Sequence, residues 1–386
     1  MTYDVVVIGA GPAGCAAAYD LSAAGRSVLL VDQREFPRVK ACAGGVTVKA
    51  LRALRYSIAP VIREVCSTMV VARDYDASRT FTGTEPLCAM TVRADFDHYC
   101  LQQTVARGAH FRVAKKVAAI AEDDSAVTVT LDDDVIRARF LIGADGVNSR
   151  VRQLLGARPP VRGFALEACV DTGGASPPPM EFQFGVVEFG YGWLFPKGDH
   201  VNVGLYTNDP SVRISREAVT AFARRKLGTD RLEGFVGHHI GLEGYLNPQP
   251  WQRVFLVGDA AGLVDPLMGE GIYYAIVSGQ AAARAIREST PSASTTKAGF
   301  ERLMQPIARD LASAFRTTRM FYRNLRWGFR MLTFPPSEFA LMRGTAAGLT
   351  FSQSKHWFFL APFRKAPTVP SITEWSAERN ERERTH

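Results

Sequence analysis

The chain has 386 residues and a mass of 42.3 kDa, with 47% apolar residues, 22% charged residues and a formal net charge of +8. That length suits two interleaved domains, and the composition is that of an ordinary globular protein, which excludes a disordered, collagenous or disulfide-stapled chain. No apolar run approaches the roughly 18 residues needed to span a bilayer, and Met1-Thr2-Tyr3-Asp4 has no basic leader, so a cytoplasmic protein, or one peripheral on the inner membrane face, is expected.

Tyr3 to Ile8 is a continuous run of β-branched and apolar residues, the pattern of a parallel strand buried on both faces. Gly9-Ala10-Gly11-Pro12-Ala13-Gly14 follows, then a helix from Cys15 stopped by Gly25, then a second apolar strand from Ser27 to Val31 closed by Asp32. Strand, Gly-x-Gly-x-x-Gly, helix, strand and acid in this order form the full context of a dinucleotide site. Gly9 makes the tight turn, Gly11 lets backbone approach a pyrophosphate, and Gly14 lets helix and strand pack closely. Asp32 can accept both ribose hydroxyls, which disfavours a 2′-phosphate. At this point FAD and NAD both remain open.

Gln33, Arg34, Arg38 and Lys40 put polar and positive groups beside the expected nucleotide, and Gly44-Gly45 lets backbone pass close to a planar ligand. Val46 to Arg55 reads as a helix, and Met69–Ala72 and Arg79–Thr82 as short strands. Arg93-Ala94-Asp95-Phe96-Asp97 opens a helix that stops at Gly108. Ala126–Leu131 and Val135–Phe140 alternate around Asp132-Asp133-Asp134, a hairpin signal. Phe140 to Arg152 repeats the opening logic, with a buried strand, Gly143-Ala144-Asp145-Gly146 and a helix.

From Arg158 to about Arg253 the texture changes. Met180–Glu188, Gly192–Pro196 and His200–Tyr206 alternate like antiparallel strands, Ser215–Leu227 is a helix and Phe235–Ile240 another strand, which reads as an inserted sheet domain. The first pattern resumes with Arg253 to Gly262, carrying Gly258-Asp259. Asp265-Pro266-Leu267-Met268-Gly269-Glu270-Gly271-Ile272 then leads into a small-residue helix. Thr290–Thr296 reads as a polar linker and Arg379–His386 as a frayed end.

The six cysteines (Cys15, Cys42, Cys66, Cys88, Cys100, Cys169) contain no Cys-x-x-Cys pair, which points to reduced thiols and away from zinc or iron–sulfur ligation. His238 and His239 are adjacent in a strand and point to opposite faces, poor metal geometry. Eleven bases between Arg302 and Lys365 face only Asp310 and Glu338. Arg316, Arg319, Arg323, Arg326 and Arg330 fall on one helical stripe with Phe321, Leu325, Phe329 and Leu332 opposite. Such a helix either lies on an anionic bilayer or packs its apolar stripe on the protein with the arginines solvated; nucleic acid is not an expected partner.

The N-terminal fingerprint, Gly143-Ala144-Asp145-Gly146 and Gly258-Asp259, in that order, resemble flavoproteins of the para-hydroxybenzoate hydroxylase fold. The resemblance implies FAD and an α/β architecture: a Rossmann-like FAD-binding domain of the GR2 type, an inserted antiparallel-sheet substrate domain and a C-terminal helical segment. The implied division is 1–157 with 248–289 for FAD (60–97 lying partly in the substrate domain), 158–247 for substrate and 297–386 for the helical region. It further implies cofactor contacts at Gly9 to Gly14, Asp32 to Arg34, Ala43, Gly44, Arg93, Val117, Asp145, Gly258, Asp259 and Gly269 to Ile272. The acid of the Gly-Asp motif would bind the ribityl chain, and the helix start near Gly271 would face the flavin pyrimidine, whose reduced form is negative. No second Gly-x-Gly-x-x-Gly follows a strand, so NAD(P)H or another reductant is expected to dock transiently.

A narrower resemblance is to geranylgeranyl reductases. It rests on Tyr191-Gly192-Trp193-Leu194-Phe195-Pro196-Lys197, on the Gly258 to Ala275 segment, and on Pro37-Arg38…Lys40…Cys42-Ala43-Gly44-Gly45, and it covers roughly residues 3 to 285. It implies a prenyl (geranylgeranyl-type) substrate, saturated by hydride from reduced flavin. Tyr191, Trp193, Phe195, Pro266 and Leu267 would lie against that substrate, and Cys42 would be the catalytic residue that delivers or gates a proton; a packing role for Cys42 stands beside it. Period-2 spacing puts the three aromatics on one strand face, a wall suited to a polyprenyl chain. Ala43 stands where the family usually has Gly, and the chlorophyll-pathway signature is absent. A monooxygenase or halogenase of the same fold is the first alternative, given Gly190-Tyr191-Gly192-Trp193. An electron-transfer flavoprotein passing electrons to a quinone is the second, disfavoured because no cysteine follows Cys169. The sequence leaves the oligomeric state open.

Overall fold

The computed structural model describes residues 2–288, 293–335 and 343–354. Its first sheet is built on the strand Thr2–Ile8, which pairs in parallel with Val28–Asp32 on one side and Asp134–Gly143 on the other. The helix Pro12–Ala23 makes the crossover between the first two strands. The glycine loop therefore sits where the strand order reverses, the place where open α/β sheets bind ligands.

Asp134–Gly143 serves two partners. Its first half forms the expected hairpin with Val127–Leu131, and its last three residues pair in parallel with Val254–Leu256. That second pairing returns the chain from residue 254 to the glycine loop. The strands His110–Val113 and Val117–Glu122 complete the sheet edges. Both are half-exposed, so their hydrophobic pattern is weak and the sequence did not announce them.

The second sheet has seven strands in the order Glu233–Leu242, Val161–Asp171, His200–Thr207, Gly190–Pro196, Met180–Phe184, Thr68–Arg73 and Ala77–Thr82. Its pairs are antiparallel except Met180–Phe184 with Thr68–Arg73, so strands from before residue 83 join those from after residue 160. One face packs Leu194, Val203 and Leu205 against Val219, Phe222 and Ala223 of the helix Arg216–Leu227. The other face carries Phe182, Phe184, Tyr191, Trp193, Phe195 and Tyr206. A third sheet of three short strands, Gly45–Thr47, Cys88–Thr91 and Ile62–Cys66, bridges the two.

Three local expectations change. Gly45–Thr47 is strand, and the helix expected from Val46 runs only Val48–Ala53, because Val46 and Thr47 pair with Ala89 and Cys88. The basic stripe is not one helix. Helix Ala293–Arg323 ends before Asn324, whose Oδ1 accepts the Trp327 N–H at 3.1 Å and starts a separate helix, Leu325–Leu332. The segment read as a linker is helical from Ala293 onward, while residues 289–292 and the frayed end at 379–386 lie outside the described residues.

The long helix is tied down by packing and by polar contacts. Phe300 packs tilted against Phe255, with ring centroids 4.8 Å apart, and the buried Asp310 accepts from the Tyr274 hydroxyl at 2.6 Å and the Ser352 N–H at 2.7 Å. Among the described residues no helix is long and apolar enough to cross a membrane.

Candidate functional site

One cavity of about 1290 Å³ runs from the glycine loop, past Cys42, to the aromatic face of the second sheet and on to the elbow at Asn324. That exceeds the roughly 300–1,000 Å³ of a single small-molecule site.

At the nucleotide end, Gly9 has φ +104°, and a Cβ there would lie 2.3 Å from the Ala144 carbonyl oxygen. Gly14 would meet the Gly9 carbonyl at 1.8 Å, so both glycines are required by the protein's own packing. Gly11 is different: the nearest atom to a Cβ is Arg38 Nη2 at 3.7 Å. Nothing among the described residues needs a glycine there, and the open space is a cradle for a ligand. Asp32 Oδ2 accepts the Ala10 N–H at 2.9 Å and Oδ1 accepts the Arg34 N–H at 3.1 Å. The acid thus shapes the glycine loop and keeps further lone pairs for hydroxyl donors.

Asp259 lines the cavity, and its carboxylate has no hydrogen-bond or ion-pair partner among the described residues. Its Oδ1 lies 3.2 Å from where a Cβ on Gly271 would stand. Gly271 accepts the first bond of the helix Ile272–Glu288, from the Ala275 N–H at 2.8 Å, so the N–H groups of the first turn have no partner within the helix. A free acceptor beside an open helix N-terminus fits a polyol chain joined to an anionic ring system. Asp265 builds this turn: its Oδ1 accepts the Leu267 and Met268 N–H groups, and burial pushes its carboxyl up to about 6.

Other expected residues take narrower parts. The Asp145 carboxylate faces its own helix, accepting from Ser149 Oγ at 2.6 Å, the Arg150 N–H at 2.6 Å and the Val151 N–H at 3.0 Å, while the residue still lines the cavity. The Glu270 side chain is held by Lys49 at 2.6 Å and by the Thr47 hydroxyl, so what remains free is its backbone. Arg93 makes a bidentate pair with Asp97 at 2.8 and 2.9 Å, and Arg38 adds a bond to the same fully buried carboxylate at 3.2 Å.

Pro12, Ala13, Gln33, Arg34, Ala43, Gly44, Val117, Gly269 and Ile272 all line the cavity; Ala10, Gly14 and Gly258 do not, acting through backbone and packing behind it. Pro266 is also absent from the lining, contrary to its expected place against substrate. It is buried, and its carbonyl is taken by the Tyr206 hydroxyl and the Asn208 amide, each at 3.1 Å. Leu267 does face the cavity.

The Cys42 loop is gripped by the second sheet. The Cys42 N–H donates to Glu167 Oε1 at 2.8 Å. Lys197 Nζ donates to the Ala43 and Thr91 carbonyls, the latter at 2.9 Å. Gly44, at φ +67°, would put a Cβ 2.1 Å from the Thr91 oxygen, so the loop closes only with glycine at this position. The Arg93 guanidinium and the Lys197 ammonium are both electrostatically coupled to the Cys42 thiol, and burial pulls Lys197 down to about 8. Burial also raises the Glu167 carboxyl.

Beyond this loop Tyr191, Trp193 and Phe195 line the cavity together, as alternation along one strand requires. Phe182 meets Tyr191 and Phe195 edge-on, each at 5.3 Å, and Phe184 meets Phe321 at 5.0 Å. The buried Trp193 indole N–H is satisfied by Asn202 Oδ1 at 2.7 Å. His238 also lines the cavity; burial lowers its imidazole to about 3, so it is neutral, while His239 on the other face is exposed. All six cysteines are free thiols.

Sequence reasoning missed Glu167, Lys49, Asn202 and Asp97. Asp97 stood in the Arg-x-x-Phe-Asp pattern, one helical turn from Arg93, and could have been found. Glu167 carries no local signal, because its strand was not expected.

The FAD binding domain family matches residues 2–208. Geranylgeranyl diphosphate reductase of Rhodobacter capsulatus is 31% identical over 74% of this chain and 75% of its own length. Menaquinone reductase of Mycobacterium tuberculosis is 32% identical over 72% and 75%. A geranylgeranyl bacteriochlorophyll reductase-like protein from Thermoplasma acidophilum superposes with a TM-score of 0.74, covering 98% of this chain and 99% of its own at 18% identity, which shows the shared fold. The chain belongs to the geranylgeranyl reductase family of FAD-dependent oxidoreductases.

Proposed function

We propose that the protein saturates carbon–carbon double bonds of a prenyl lipid. The observation that carries this reading is the continuity of the cavity: glycine loop, Cys42 loop and aromatic wall share one space. The names of the relatives, a geranylgeranyl diphosphate reductase and a menaquinone reductase, support a prenyl chain as the reacting group.

Gly9 to Gly14 and Asp32 would hold the ADP half of FAD, Asp259 the ribityl hydroxyls, and the helix start at Gly271 and Ile272 the flavin. When bound and reduced, FAD would supply the hydride that one alkene carbon receives. Cys42 gives the proton to the other: its S–H bond breaks as the C–H bond forms, and the thiolate left behind is stabilised by Arg93 and Lys197 until solvent returns a proton. Glu167 and Lys197 hold the backbone of the Cys42 loop in place, which is where orientation contributes to rate. Tyr191, Trp193 and Phe195 exclude water from the alkene. A reductant such as NAD(P)H docks transiently, and the prenyl lipid is met at a membrane surface approached from one side.

The test is anaerobic incubation of reduced holoprotein with prenyl lipids, read by mass spectrometry. The expected result is a gain of two hydrogens per double bond, with Cys42→Ala retaining flavin but slowed by about 10²–10⁴. Product that forms only with O₂, oxygenated or halogenated, would assign the site to the monooxygenase or halogenase reading instead.

A further inference from the structure

We propose that the elbow between the helices Ala293–Arg323 and Leu325–Leu332 docks on an anionic bilayer and opens the cavity directly onto the lipid. This rests on the prenyl-lipid reading, and it names the surface through which that substrate enters.

Three side chains carry it. Met320, Trp327 and Met331 are 64%, 53% and 40% exposed, yet each also lines the cavity. An isolated exposed apolar residue needs no explanation, but a group of them at the rim of an apolar cavity does. Trp327 and Met331 stand one helical turn apart and share a face, and Phe334, 51% exposed, follows in the next turn of chain. Gly328 fixes this orientation: a Cβ there would be 2.8 Å from the Phe321 ring, so the helix crosses Phe321 closely and turns Trp327 outward.

The surround is cationic. Arg326 and Arg330 repeat the same turn-apart spacing beside Trp327 and Met331, and Arg316, Arg319 and Arg323 extend the row along the longer helix. All five are exposed, and none forms an ion pair among the described residues. Between Leu311 and Pro335 there is no Asp or Glu. Apolar tips flanked by arginines, with a tryptophan among them, match the layering of an anionic leaflet, whose headgroups take the guanidinium groups and whose acyl boundary takes the apolar tips. A nucleic acid would leave those tips unpaired with anything apolar. The cavity mouth then faces the hydrocarbon, and a prenyl chain passes from leaflet to aromatic wall without crossing water.

The experiment uses full-length holoprotein with vesicles of phosphatidylcholine alone and of phosphatidylcholine mixed with phosphatidylglycerol. Sedimentation should capture the protein on the anionic vesicles only, and added salt should release it. Brominated lipid should quench the wild type more than Trp327→Phe. Replacing the two arginines of the shorter helix (Arg326→Gln with Arg330→Gln) should weaken vesicle binding by roughly 30-fold, at about a fivefold loss per arginine. The same variant should reduce detergent-dispersed prenyl lipid at the wild-type rate and vesicle-embedded lipid more slowly. Equal capture by both vesicle types, no capture, or undiminished binding of the double variant overturns the docking surface. If detergent-dispersed lipid is still reduced in that case, the function stands and only the surface fails. Capture on anionic vesicles with no prenyl lipid reduced in any form leaves the surface standing and removes the function.

Discussion

Glu167 and Cys42 are joined by a 2.8 Å hydrogen bond from the Cys42 N–H to the Glu167 carboxylate across 125 residues of chain. A strand of the second sheet thereby sets the position of the Cys42 loop in the cavity wall. Glu167→Ala leaves that N–H unsatisfied, a cost of about 1–3 kcal/mol. The expected outcome is a 10- to 100-fold slower reoxidation of reduced flavin by prenyl substrate in single turnover, with flavin content unchanged. Glu167→Gln keeps an acceptor oxygen and should recover most of the rate; a glutamine variant as slow as the alanine would mean that charge, not the hydrogen bond, matters.

Gly9 and Gly11 should part company. Gly9→Ala forces a Cβ to within 2.3 Å of the Ala144 oxygen at a positive φ, so the variant should fail to accumulate as folded protein. Gly11→Ala meets nothing closer than 3.7 Å and should fold with stability within about 0.5 kcal/mol of wild type. Its defect should be flavin loss, read as visible absorbance after gel filtration. Full flavin retention by this variant would show that the open space at Gly11 is not where the cofactor approaches.

Asn202 is buried, and its Oδ1 accepts the Trp193 indole N–H. Asn202→Leu strands a buried N–H, and urea denaturation should show a loss of about 1–3 kcal/mol. The paired variant Asn202→Leu with Trp193→Phe removes the orphaned donor and should recover part of that loss. Additive losses would place the cost in packing.

Lys197 is 3% exposed, and burial brings its ammonium from 10.5 down to about 8. Because the folded value lies below the unfolded one, the unfolded chain holds more protons between about 8 and 10.5. The contribution of this group to stability therefore rises as pH climbs through that window, by at most about 3 kcal/mol. Lys197→Met lacks this component. The difference in unfolding free energy between wild type and variant should move in favour of wild type between pH 8 and 10.5, and a constant difference would contradict the burial of a charged amine.

Much of the site was legible because its parts are local. Gly9 to Asp32 is one continuous strand–loop–helix–strand unit whose residues act within thirty positions of each other, and Tyr191, Trp193 and Phe195 share a face through the period of a single strand. The basic stripe from Arg316 to Arg330 was likewise visible, but the break at Asn324 was not: a periodic apolar pattern continues across it, and only a side-chain cap decides where one helix ends.

What the amino-acid order determined alone was therefore the set of turn-making glycines, the buried strands and the alternating aromatics, since these depend on backbone sterics and on period. What the tertiary structure decided was which distant chain segments meet. Val254–Leu256 adds to the end of Asp134–Gly143 and carries Asp259 to the cavity, Thr68–Thr82 joins a sheet made mostly of later strands, and Glu167 and Lys197 reach back to Cys42 and Ala43. Glu167 sits within a strand of the second sheet and Lys197 just past the end of another. Their roles come from long-range pairing, which no local pattern encodes.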